Sequence, residues 1–247
     1  MSRSLATRLV VPAAVLSMAG GLVGATSPVA GSQAASSAAA ASAVASGGEL
    51  SRRGDPRDFQ IYRLSGGDGP RVGWAHCRRI NYRVNYDHAP RRSRWHVQEA
   101  VRRLKRATGL RFHYQGRTQV RPTPSGSNYP RGVKLVVGWA GPRSKHLAPG
   151  QAGVGGWAAR GNGAIVSGFV IINYRIKMAP GFGRGPRSGV QGTRGQVLMH
   201  ELAHTVGLKH VRAKPQIMFP RATRKLATWG AGDWNGLRRQ GRRAGCL

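Results

Sequence analysis

Eleven consecutive residues, His200-Glu201-Leu202-Ala203-His204-Thr205-Val206-Gly207-Leu208-Lys209-His210, restrict the fold of this chain more than any other feature. Just upstream, Thr193-Arg194-Gly195-Gln196 has the form of a capping box, in which the Thr hydroxyl and the Gln side chain satisfy the free N–H groups of a helix start. The apolar run that follows predicts a helix as far as Val206. Residues four apart on a helix lie on one face, one turn apart, so His200 and His204 can share a cation. Gly207 can take a positive φ and end the helix at once, letting the chain fold back and bring His210 to the same ion. Neutral imidazole suits Zn²⁺, and three protein ligands leave one coordination position open. Composition sharpens the reading, because Glu201 is the one acidic residue between Glu99 and Asp233. A solvated or merely structural helix face gives no reason to set that carboxylate between two histidines.

The rest of the chain reads as alternating strands and helices, which is the α/β class. Ile80, Tyr82, Val84 and Tyr86 alternate with polar residues as in a half-buried strand. Val97, Ala100, Val101, Leu104 and Thr108 share one helical stripe, and Gly109 stands where such a helix would stop. Leu110, Phe112 and Tyr114 restart a period of two, so a parallel crossover is expected. Val133 to Trp139 and Ile165 to Ile172 read as strands covered on both faces, with Gly150 to Gly156 between them as a loop or a distorted edge strand.

At the amino terminus, Arg3 and Arg8 precede an apolar stretch, Leu9 to Val23, broken by Pro12 and Gly20-Gly21. This is the pattern of a signal peptide over about residues 1–30, with cleavage near 25 or 34, and it implies a secreted, extracellular protein. Residues 31–72 open with Ala, Ser, Gly and Val and read as a low-complexity linker or short pro-region, with Arg52-Arg53 a candidate processing point. The domain proper is expected over residues 73–247. No apolar run reaches the roughly 18 residues of a transmembrane helix. Export favours pairing of the two cysteines, Cys77 and Cys246. The formal net charge is +32, carried by 40 basic against 8 acidic residues. Because the basic residues are spread along the whole chain, the simplest reading is compositional bias, with non-specific attraction to acidic polymers as its consequence.

His200 to His210 resembles the extended zinc motif of the metzincin metallopeptidases, and Ile217-Met218-Phe219-Pro220 is similar to their Met-turn. Pro220 after an aromatic resembles the matrixin branch, of the secreted actinobacterial type. The resemblance covers Trp74 to Leu247 and implies a mixed, mostly parallel twisted sheet with a long crossover helix, an active-site helix and a C-terminal helix near Asp233. It implies His200, His204 and His210 as zinc ligands, Glu201 as general base, Met218 as a floor beneath the metal, and Asp233 as an anchor for the turn. The implied activity is endoproteolysis of extended polypeptides by a monomer. Two features depart from the family. Animal matrixins carry acidic calcium sites and a second zinc, but the acid-poor stretch here predicts one Zn²⁺ and no dedicated Ca²⁺ site; Ala222 stands where the family often has a pocket-lining Tyr. Matrixin pro-segments also offer a second role for Cys77, as an inhibitory thiolate on the metal. A different class remains open as well: an extracellular binder of acidic polymers, cell-wall polymer or nucleic acid, whose zinc is not catalytic.

Overall fold

The computed structural model describes residues 14–17, 53–141, 143–188 and 192–242. Five strands and three helices follow one another as β2 (Arg79–Val84), α1 (Ser93–Thr108), β3 (Arg111–Arg117), β4 (Leu135–Ala140), β5 (Gln151–Ala159), β6 (Ile165–Asn173), α2 (Arg194–His204) and α3 (Ala231–Gln240). A short strand, β1 (Ala14–Ser17), joins them at one sheet edge, giving the order β1-β5-β6-β4-β2-β3. β2 runs parallel to β3 and β4, and β4 parallel to β6; β5 alone of the five is antiparallel to its neighbour. The α/β architecture with a mostly parallel mixed sheet is therefore present. No helix among the described residues is long and apolar enough to cross a membrane.

Local chemistry explains most of the element ends. The stripe Val97, Ala100, Val101, Leu104 and Thr108 is buried, and α1 stops where Gly109 takes φ 75° and donates its N–H to the Lys105 carbonyl. The main core lies between the sheet and α1 and α2, and it includes Leu198 and Leu202 of α2 with Val170 and Ile172 of β6. Alternate residues of β6, Phe169 and Ile171, turn the other way and join Leu147 and Val154 in a second cluster. This is the period-two placement expected of a strand covered on both faces.

Three stretches differ in detail from the pattern expected of them. The glycine-rich stretch before Ala159 is not a loop: Gln151–Ala159 is a nine-residue strand, wholly buried, whose pairing shifts register at Ala152 and again between Ala158 and Ala159. Two of its glycines, Gly153 and Gly155, face α2, which lies almost on top of them. The capping box at α2 is only half formed, since Thr193 accepts from the Gln196 N–H at 3.2 Å while the Gln196 side chain turns to the Thr223 backbone instead. Finally, the described residues of the stretch expected as linker, 53–72, pack against the later part of the chain. Tyr62 donates its N–H to the Gly207 carbonyl at 2.8 Å, Lys209 donates to Gln60 and Ala231 to Arg53, and Leu64 and Val72 are buried. Non-local backbone pairing of this kind leaves no periodicity for a sequence to display. Of the segment read as a signal peptide, Ala14–Ser17 is an edge strand and the remainder lies outside the described residues.

Candidate metal centre

The histidines converge because helix, break and return each do one geometric task. His200 and His204 sit on the last turns of α2. Gly207, at φ 92°, then turns the chain, and a side chain there would strike the Gln240 amide. That amide donates to the Val206 and Val72 carbonyls at 2.6 and 2.7 Å, so it holds the helix end against the segment before β2. The turn brings His210 back. The Nε2 atoms of His200, His204 and His210 then stand 3.0, 3.0 and 3.2 Å from one another.

The tautomer of two of the three rings is fixed by their other nitrogen. His200 Nδ1 lies 2.7 Å from the Ile217 carbonyl and His204 Nδ1 2.7 Å from the Leu208 carbonyl. A carbonyl only accepts, so each Nδ1 carries the proton, and in the neutral ring the Nε2 lone pair is left bare. Burial lowers His200 to about 3 and His204 well below the ordinary histidine range, and the neighbouring imidazoles push the same way. Two bare lone pairs and a third ring nitrogen this close form a site that a shared cation would fill. Among the described residues these three form the one group of histidine, cysteine and acidic side chains able to hold a metal ion.

Glu201 is fully buried, and neither carboxylate oxygen has a hydrogen-bond partner. Burial drives it well above the usual carboxylate range; the Gly155 N–H, close but outside hydrogen-bond geometry, draws it the other way. An orphaned carboxylate on the helix of two converging imidazoles is costly unless an ion, a water or a ligand meets it. Its position depends on two residues that the sequence reading passed over. A Cβ on Gly153 would stand 3.0 Å from Glu201 Cγ, and one on Gly155 would stand 2.1 Å from the Glu201 carbonyl oxygen. Glycine at every second position of one strand face was the available signal, since it marks a close backbone approach.

In the turn whose Ile217 carbonyl meets His200, Met218 is buried, its carbonyl accepting from the Val211 N–H at 3.0 Å, and Pro220 is half-buried at the end of the same turn. Asp233, on the first turn of α3, accepts from Ile217 N–H at 2.5 Å, Met218 N–H at 3.2 Å and Gly230 N–H at 2.9 Å. Burial raises Asp233 to about 7, against the pull of those donors. Through Ile217, whose carbonyl orients His200, this carboxylate reaches the histidine cluster. The turn is thus braced from α3.

Cys77 is exposed just before β2, and it is neither a free thiol nor a member of the histidine group. The inhibitory-thiolate reading therefore fails. Cys246 lies outside the described residues, so its pairing with Cys77 remains a proposal. No family model matches the chain, and no curated protein matches it either.

Proposed function

We propose that this chain is a secreted zinc endopeptidase of the metzincin kind, acting on extended polypeptides. The observation that carries the reading is the convergence of three imidazole nitrogens, two of them bare, beside a buried carboxylate that no protein group satisfies. Ligands about 2.0–2.1 Å from a tetrahedral zinc stand roughly 3.3 Å apart. The observed edges of 3.0 to 3.2 Å fit that ion. When bound, zinc supplies a Lewis acid for a peptide carbonyl and brings the pKa of the attacking water towards about 7.

His200, His204 and His210 would hold the ion, with Ile217 and Leu208 fixing the tautomer of the first two. Glu201 takes a proton from the attacking water and delivers it to the departing amine as the C–N bond breaks. Burial suits it to hold that proton between the two steps. The substrate strand would lie along β5, beside α2. In support, β1 pairs antiparallel there, Ala14 opposite Gly155 and Leu16 opposite Gly153. An edge that accepts one extended segment by main-chain pairing can accept another. A purely structural zinc would call for a fourth protein ligand, and the described residues offer no fourth member of the group.

Glu201→Gln tests the assignment. Zinc should remain, while casein hydrolysis falls about 10²- to 10⁴-fold, as loss of a general base predicts. Wild-type hydrolysis should stop with a chelator and return with zinc. Chelator-resistant cleavage, or full activity in zinc-loaded Glu201→Gln, would overturn the reading.

A further inference from the structure

A concavity of about 500 Å³ lies at the carboxyl ends of β2 and β4. Its floor is aromatic: Trp139, next to last in β4, packs on Tyr86, and Tyr174 follows β6 and stacks on His88 with ring centroids 4.6 Å apart. Its walls carry four cations from three separate connections: Arg121 before β4, Arg143 and Lys145 between β4 and β5, and Arg175 after β6. None of these four cationic groups has an ion pair or a hydrogen bond among the described residues; Arg175 only leans over the Tyr174 ring at 5.5 Å. The one carboxylate in the lining is Asp87, exposed at the rim.

Dispersed basic bias explains isolated arginines on a surface, but it gives no reason for four to converge on one hollow with an aromatic floor. Topology supplies one. From β2 the chain leaves through α1 for β3 on one side, and from β4 it leaves for β5 on the other. Between parallel neighbours whose connections diverge, a crevice opens outside the carboxyl ends, and open α/β sheets bind ligands there. The volume is in the range of small-molecule sites. Guanidinium groups match phosphate in geometry as well as charge, and they stack on rings.

We propose that this hollow binds a small organic phosphate, its anionic group among Arg121, Arg143, Lys145 and Arg175 and its ring or sugar against Tyr174. The site is separate from the three histidines and needs no metal. The test uses the full chain, AMP as the probe, titration calorimetry at 150 mM salt, and chelator present throughout. AMP should bind saturably at one site, and more tightly than adenosine or inorganic phosphate. Arg143→Gln with Arg175→Gln should weaken AMP at least tenfold. Arg106→Gln with Arg160→Gln removes the same charge from exposed positions elsewhere and should change it less than twofold. Equal weakening in the two double variants would mean diffuse attraction only and would overturn the proposal, as would the lack of saturable binding to the wild type. Because chelator is present and no hydrolysis is read, failure here is distinct from failure of the peptidase assignment.

Discussion

Replacing Gly155 with alanine would set a methyl carbon 2.1 Å from the Glu201 carbonyl oxygen and 2.7 Å from its carbonyl carbon. Ordinary carbon–oxygen contact needs about 3.2 Å or more, so α2 and β5 must separate by roughly 1 Å, and neither backbone can yield by a rotamer change. Overpacking of this kind costs about 1–3 kcal/mol. In a domain of this size that is a fall of about 2–12 °C in Tm. Because α2 also carries His200 and His204, zinc affinity should fall about 10- to 100-fold, the loss typical when the support behind metal ligands is disturbed. Gly153→Ala meets the Glu201 side chain at 3.0 to 3.1 Å and should be milder in stability. Its effect should fall on hydrolysis, since it displaces the carboxylate more than the helix. Gly161→Ala is the control: nothing lies within 4 Å of its added carbon, so Tm should hold or rise slightly. Scanning calorimetry and competitive zinc titration on the three variants suffice. If Gly155→Ala melts within 1 °C of wild type and keeps its zinc affinity, then α2 does not approach β5 as described.

Asp233→Ala strips three backbone N–H groups of their acceptor and should lower stability by about 2–4 kcal/mol and speed zinc loss to chelator, followed by denaturant melts and a zinc-sensitive dye. The Glu99 carboxylate accepts from Arg102 at 2.6 and 2.7 Å and from Arg103 at 2.7 Å, and hydrogen bonds from Arg102 above all hold it down at about 2. Its folded pKa lies below the unfolded value of 4.5, so its contribution is complete above pH 4.5 and is lost as pH falls towards 2. Glu99→Gln should therefore cost about 0.5–1 kcal/mol at pH 7 and almost nothing near pH 2, read from melts across that range. Cys77→Ala and Cys246→Ala should destabilise alike and non-additively if the two are bridged. Mass spectrometry of unreduced, digested, secreted protein showing two free thiols would end that proposal.

The histidines, the glutamate and the break at Gly207 were legible in the sequence because they are local: helix periodicity and one positive φ are enough to bring Nε2 atoms together. The stripe of α1 and the buried runs of β4 and β6 were legible for the same reason, since each displays its own period. What the sequence could not display is who approaches whom. Gly153 and Gly155 look like loop glycines until α2 is laid across β5 at a distance that excludes a Cβ. Gln196 fits a capping box by spacing, yet Thr223 competes for its amide and wins. Residues 53–72 carry no strong periodicity, and they are held by backbone bonds to Gly207 and Ala231, partners far along the chain. The basic hollow gathers Arg121, Arg143, Lys145 and Arg175 from three connections that meet only where parallel strands diverge. Local geometry is written in neighbouring residues; close approach and convergence belong to the tertiary structure, because they depend on pairs that sequence distance separates.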